Sequence, residues 1–350
     1  MKSKSNPLPQ NMRKSFRIAG LIYSCDTDPG YSRRRCGKGF IFLGLRGSRL
    51  TGKRVKQRIE NLVIPPAWED VWICRDASGH LQVTGRDEKQ RKQYIYHPKW
   101  ESLREQNKFE QLISFGEALP GIRRTVTRDL RKPPMSRHWV LALTVRILDE
   151  TLIRVGNEIY AKTHNSYGLT TLRDRHVEIN NGQALFHFKG KSGRDQEILL
   201  EDQRLTGLVA RCQELPGQHL FQYVNEHGEQ CPLGSEDVNA YLKSISGLDV
   251  TAKVFRTWGA TVEAASQLKK SQSKISKAKK QKEKVAAVRA VAELLGNTPA
   301  VAKNSYIAPI VFEVFETGKL AEKMKRKRSS VRGLTASEQS VLDLLRSSSS

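Results

Sequence analysis

The chain has 350 residues, enough for two domains with a sizeable core in each. With 38% hydrophobic and 27% charged residues, no apolar run as long as a membrane span and no apolar signal core after Met1, it reads as soluble, without a membrane partner. Sixty Lys and Arg against thirty-six Asp and Glu give a formal net charge of +24, which points to a polyanionic partner, since neutralising phosphates releases counterions.

Residues 1–15 read as a flexible basic N-terminus, and 16–100 as a β-rich, nucleic-acid-binding domain. Phe16-Arg17-Ile18-Ala19-Gly20-Leu21-Ile22-Tyr23 has a strand pattern, and Asp26-Thr27-Asp28-Pro29-Gly30 marks a turn. The basic stretch from Arg33 to Phe40 follows. Ile64-Pro65-Pro66-Ala67-Trp68 closes a short helix and leads into the strand Val71-Trp72-Ile73. Between Gly79 and His97, cations interleave with amides and aromatics. Gln82, Arg86, Arg91, Lys92, Gln93, Tyr94 and Tyr96 suit contacts to phosphates and base edges, although a solvated hairpin has the same composition.

From about Trp100 the pattern is helical, and 101–320 is assigned to a second domain. Leu141, Val145, Leu148, Leu152, Val155 and Ile159 recur at alternating four- and three-residue steps, the stripe of one amphipathic helix with Arg154 beside it. Tyr167-Gly168-Leu169-Thr170-Thr171-Leu172 reads as a strand. His176–Ile179 and Ala184–Phe188 flank Asn181-Gly182, a strong hairpin signal. Gly190-Lys191-Ser192-Gly193 is the next tight turn and Glu197–Leu200 its return strand, so Lys191 is expected at a hairpin tip. A helical arginine or a turn lysine alone is an ordinary surface charge.

Helices are expected from Asp237 and from Lys253. The lysine-rich stretch Lys269–Lys284 is either a basic linker or a helix lying on the polyanion. A helix over Val285–Leu295 ends at Gly296, and Thr298-Pro299 reads as the N-cap and first position of a short helix carrying Tyr306. Residues 321–350 form a basic, Ser-rich tail, accessory or disordered, with a weak helical signal at Leu342–Leu345.

Four motifs carry chemistry jointly: Arg154-Val155-Gly156, Phe188-Lys189-Gly190-Lys191, Phe255-Arg256-Thr257 and the run from Leu295 to Tyr306. Cleaving a phosphodiester needs a nucleophile, stabilisation of the non-bridging oxygens and protonation of the leaving oxygen. A tyrosine attacks once cations help it ionise, since its ordinary pKa is about 10. Arginine forks match phosphate oxygens, and a lysine beside other cations can release a proton. No acidic cluster has magnesium-ligand spacing, and the five scattered cysteines form no Cys-x-x-Cys pair. Metal-free chemistry in a reduced, cytoplasmic setting is expected.

In this order the motifs resemble the type IB DNA topoisomerases, in particular the small poxvirus-like enzymes of bacteria. The resemblance spans roughly residues 16–320 and includes Asp26–Gly30, Ile64–Trp68, Gly79–His97 and Asn165–Leu172. It implies an α+β architecture, with a small β-rich N-terminal domain and a mainly α-helical catalytic domain carrying a small antiparallel sheet, closed as a C-shaped clamp on double-stranded DNA. It implies Tyr306 as nucleophile, Arg154 and Arg256 as transition-state clamps and Lys191 as general acid for the 5′-hydroxyl. Asn297, nine residues before the tyrosine, stands where the viral and eukaryotic enzymes have histidine. An asparagine there donates a hydrogen bond to the phosphate or merely caps the helix of Tyr306. Gly156, Tyr160 and Lys253, beside the catalytic motifs, are assigned to DNA contact. The implied enzyme is a monomeric, nucleoid-associated isomerase that relaxes supercoils through a 3′-phosphotyrosyl intermediate, with no metal or cofactor.

A tyrosine recombinase is the nearest rival, but those enzymes usually carry His-x-x-Arg where this chain has Lys253-Val254-Phe255-Arg256. Their core-binding domain is helical rather than β-rich. A non-catalytic DNA-packaging protein would explain the charge and not the spaced motifs.

Overall fold

The structure is a computed structural model that describes residues 16–17, 19–270, 276–325 and 332–347. The expectations for 1–15 and for part of the lysine-rich stretch, 271–275, lie outside the described residues. The chain divides into two compact units, Met1–Lys108 and Phe109–Ser350.

The first unit is built on a five-stranded antiparallel sheet of order β2-β1-β3-β4-β5. Its strands are β1 (Tyr31–Cys36), β2 (Gly39–Leu43), β3 (Glu69–Ile73), β4 (Leu81–Arg86) and β5 (Lys92–Tyr96). Helix α1 (Lys53–Asn61) turns one face to the sheet, so that Ile59 packs with Val71, Ile73 and Val83 in a small core. Phe16, Arg17 and Ala19 are helical rather than extended, and Ile22 makes only an isolated bridge to Gly79. The apolar pattern there serves a second cluster, in which Phe16 stacks on Trp100 at 4.6 Å.

The second unit is helical around a three-stranded sheet, β6 (Val177–Asn180), β7 (Gln183–Lys189) and β8 (Asp195–Leu200), in sequential antiparallel order. Asn181 and Gly182 both take positive φ (50° and 76°), the backbone of a two-residue hairpin turn. Around this sheet lie α2 (Pro98–Asp129), α3 (Arg137–Thr151), α4 (Glu158–His164), α5 (Gln203–Gln213), α6 (Ser235–Ser246), α7 (Lys253–Lys269), α8 (Lys277–Leu294), α9 (Pro299–Ser305), α10 (Pro309–Glu316), α11 (Leu320–Lys323) and α12 (Ala336–Arg346). A short ribbon, β9 (Gln222–Val224) with β10 (Gln230–Pro232), lies between α5 and α6. The unit boundary falls inside α2, eight residues beyond the break expected at 100/101.

The tail departs from the sequence reading. Helix α12 buries Val341, Leu342, Leu344 and Leu345 in the main core. Its Glu338 is nine-tenths buried, accepts two hydrogen bonds from Arg123 (2.8 and 2.9 Å) and one from Trp258 Nε1 (3.2 Å), and caps Thr335 N–H. Arg123 also forks onto Asp149 at 2.8 and 3.0 Å. An accessory segment would not supply a buried carboxylate to the centre of a domain. Serines and basic residues on either side concealed the short helix between them.

Candidate active site

The 152–171 region departs most from the sequence reading. The apolar stripe predicts one helix through Ile159, yet α3 stops at Leu152, which takes the left-handed conformation (φ 55°). Arg154 therefore lies in a loop. Leu169 and Thr170 donate backbone N–H groups to the Arg154 and Val155 carbonyls, both at 2.7 Å, so Tyr167–Leu172 docks on this loop and is not a sheet strand. Leu169–Thr171 forms one tight helical turn, held by the Thr171 hydroxyl against Gly168. Gly156 is required here: its φ is +97°, and a Cβ would lie 2.9 Å from Thr171 Oγ1 and 3.0 Å from the Gly168 carbonyl carbon. That packing accounts for a glycine assigned to DNA contact. Ile159, at the end of the predicted stripe, is 69% exposed.

The hairpin β7–β8 carries Lys191 at its tip. Gly190 N–H donates to the Arg194 carbonyl (2.7 Å), and Ser192 and Gly193 take φ of 66° and 71° to complete the turn. Lys191 is exposed.

Arg256 projects from the first turns of α7 into the interior and is 4% exposed. Its Nη1 donates to the Leu152 carbonyl and its Nη2 to the Leu295 carbonyl (2.8 Å), so it ties the ends of α3 and α8 together. Its Nε is buried without a partner. Burial, with Arg154 nearby, pulls the Arg256 guanidinium down to about 10.

After α8, Gly296 (φ 57°) reverses the chain, and Asn297 N–H closes onto the Ala292 carbonyl at 2.8 Å. Thr298, not Asn297, caps α9 by accepting from Val301 N–H, with Pro299 in the first turn. Asn297 instead accepts a hydrogen bond from Arg154 Nη2 on its Oδ1. Its Nδ2 is buried and unpartnered. Burial also lowers Arg154; Tyr306 opposes this and Arg194 adds to it.

Tyr306 sits at the C-cap of α9 rather than within it, and is 8% exposed. Next to its backbone lies the buried Thr261, whose hydroxyl shares its proton between the Thr257 carbonyl (2.8 Å) and the Tyr306 carbonyl (3.3 Å) and accepts from Ala308 N–H (3.2 Å). The Arg256 guanidinium carbon lies 5.4 Å from the Tyr306 ring centre and Lys253 Nζ 5.7 Å. Burial pushes the phenol up, but the charges of Arg256, Lys253 and Arg154 outweigh it, and Tyr306 is held below the ordinary tyrosine value.

The structure thus brings Arg154, Arg256, Asn297, Lys253 and Tyr306 together. Thr261, Arg194 and Gln196, on the same surroundings, carry no signal in the sequence: a helical threonine and two polar hairpin residues are ordinary. Tyr160 lies apart on α4, 53% exposed.

In the first unit the residues expected to touch DNA are mostly engaged elsewhere. Gln82 is 3% exposed; its amide nitrogen donates to the Gly79 carbonyl (2.6 Å) and shares its second N–H between the Asp76 and Ala77 carbonyls (both 3.2 Å), while its oxygen accepts from Arg58. Lys92 pairs with Asp26, Arg86 with Asp70 (3.5 Å) and Arg91 with Asp87 (2.6 Å). Gln93 donates to Asp87 at 2.9 Å. Tyr94 and Tyr96 stack at 6.0 Å on one face of β5, with Tyr94 47% exposed.

A helical unit with a small antiparallel sheet, holding a tyrosine beside two arginines and a lysine, is the arrangement expected of enzymes that cut DNA strands through tyrosine. Residues 97–334 match the family model described as eukaryotic DNA topoisomerase I, catalytic core, and residues 39–87 that of the bacterial DNA topoisomerase IB N-terminal domain. The chain is 31% identical over 294 residues to DNA topoisomerase 1B of Acanthamoeba polyphaga mimivirus, covering 82% of this chain and 88% of the relative. It is 22% identical over 251 residues to DNA topoisomerase 1B of vaccinia virus, strain Copenhagen, covering 71% and 76%. A solved complex of the XerH site-specific recombinase shares 16% identity over 68% of this chain and 59% of that one, with a TM-score of 0.36, too slight to carry an argument. The chain belongs to the type IB DNA topoisomerase family, and the recombinase and packaging alternatives fall with that assignment. No helix among the described residues is long and apolar enough to cross a membrane.

Proposed function

We propose that Tyr306 is the nucleophile of a nicking and resealing cycle on duplex DNA. The Tyr306 oxygen bonds to phosphorus as the bond to the 5′ oxygen breaks. The phenol proton goes to solvent, and Lys191 protonates the departing 5′ oxygen. The downstream duplex swivels, then the 5′-hydroxyl attacks the 3′-phosphotyrosine and restores the strand. One ester bond is exchanged for another in each direction, so the cycle as drawn needs neither ATP nor metal. Arg154 and Arg256 hold the non-bridging oxygens.

The single observation that carries this reading is a pair of empty donors beside the tyrosine. Arg256 Nε and Asn297 Nδ2 are buried with no partner. An unpaired buried donor costs about 1–3 kcal/mol, which a ligand, an ion or a water can relieve. A phosphate oxygen would satisfy both. On this reading the chain acts on duplex DNA as a monomer, in the cytoplasm and on the nucleoid.

The test is Tyr306→Phe, which keeps the packed ring and removes the attacking oxygen. Covalent adduct and plasmid relaxation, assayed in EDTA without ATP, should both disappear while DNA binding persists. Relaxation at the native rate would overturn the assignment.

A further inference from the structure

Lys191 is exposed at a hairpin tip and makes no ion pair or hydrogen bond with a described residue, yet a general acid must be held to within a fraction of an ångström of its oxygen. Gln196, on β8 opposite Phe188, touches both sides of that problem. A Cβ built on Gly190, the residue before Lys191, would lie 2.8 Å from Gln196 Cγ. A Cβ on Gly296, the residue before Asn297, would lie 2.1 Å from Gln196 Oε1 and 2.7 Å from its Nε2. The Gln196 side chain therefore occupies the places that a Cβ at Gly190 and a Cβ at Gly296 would take. Its Nε2 also donates to the Asp195 carbonyl at 2.9 Å. Gly296 has φ of +57°, so a side chain there would be strained as well as crowded.

We propose that Gln196 is a positioning residue that braces the Lys191 hairpin against the Asn297 turn, so that the general acid and the phosphate-binding donors keep one register. The glycines at 190 and 296 are the sockets of the brace. This rests on the general-acid reading of Lys191, and the two can fail separately.

The experiment is single-turnover cleavage of two substrates, an ordinary phosphodiester and one with sulfur at the 5′-bridging position, whose thiolate leaves without a proton. Lys191→Ala, Gln196→Ala and Gln196→Met are compared. Gln196→Ala should slow ordinary cleavage by about 10- to 10²-fold, the scale of an ångström of misplacement. It should recover most of that loss on the sulfur substrate, as Lys191→Ala does. Gln196→Met keeps the reach of the side chain and should cleave both substrates nearly as the native chain does, which separates bracing from general damage to the fold. If Lys191→Ala is rescued while Gln196→Ala is unimpaired or equally slow on both substrates, the brace is wrong. If Lys191→Ala itself is not rescued, the general-acid reading falls and the brace with it.

Discussion

Two regions of this molecule carry the same kind of sequence signal, clustered cations with tyrosines, and the structure treats them in opposite ways. In the β4–β5 hairpin of the first unit several of the polar groups have partners within the fold. The Gln82 amide is shared among three carbonyls, Arg86 and Lys92 sit on carboxylates, and Asp87, drawn on by Arg91, is held down to about 2. Around Tyr306 the cations have no carboxylate partner among the described residues, and neither Arg256 Nε nor Asn297 Nδ2 meets an acceptor there. Composition cannot distinguish these cases. Burial and the partners each group finds, not the number of cations, separate the two regions.

Three experiments press on that contrast. The largest effect is expected at Arg256. Arg256→Ala should slow cleavage by on the order of 10²–10³-fold, as for a lost oxyanion donor. It should also lower the melting temperature, because the Leu152 and Leu295 carbonyls lose their donor. Slow cleavage without any loss of stability would mean that those two bonds contribute little.

An intermediate effect is expected at Lys253. The cations hold Tyr306 below its ordinary value, so the reactive phenolate gains population as pH rises through that lowered value. Removing one cation raises the tyrosine value, and the rising limb of the rate–pH profile of Lys253→Ala should move to higher pH. At neutral pH the rate should fall roughly 10-fold, the size of one partly screened charge a few ångströms away. An unmoved limb would show that Lys253 does not act on the phenol.

The smallest effects should separate Gln82 from Tyr94. Gln82→Ala breaks a buried hydrogen-bond set and should cost about 1–3 kcal/mol of stability, with no change in cleavage-site preference. Tyr94→Ala, at an exposed ring, should leave stability alone and weaken DNA binding by up to about 10-fold, or ~1.4 kcal/mol. The reverse pattern, read by thermal unfolding and DNA titration, would restore Gln82 as a base reader.

Where a single local rule decides the backbone, the sequence was legible. Asn181-Gly182 specifies its hairpin, and Thr298-Pro299 starts α9 as expected, because these signals act over two to four residues. The loop at Arg154 was hidden. Its apolar stripe continues past Leu152, where the helix ends, and the carbonyls of Arg154 and Val155 pair instead with the 168–171 turn, a contact made across many residues. The α12 helix was hidden for a similar reason: its Glu338 looks like a surface acid until Arg123 and Trp258 enclose it. Asn297 stood at a position open to two readings, a cap or a donor. Thr298 proves to be the cap, and the Asn297 oxygen accepts from Arg154, 143 positions earlier in the chain, a contact that no local pattern announces.

The central claim, that the empty Asn297 amide is a phosphate donor, is tested most directly by Asn297→Asp. This change keeps the shape and keeps an oxygen for Arg154, but turns the unpartnered donor into a negatively charged acceptor. Single-turnover cleavage should fall by at least about 10²-fold, the effect of a lost oxyanion donor, with thermal stability close to native. Cleavage at the native rate by a folded Asn297→Asp chain would contradict the account, because it would mean that no phosphate oxygen ever meets that amide.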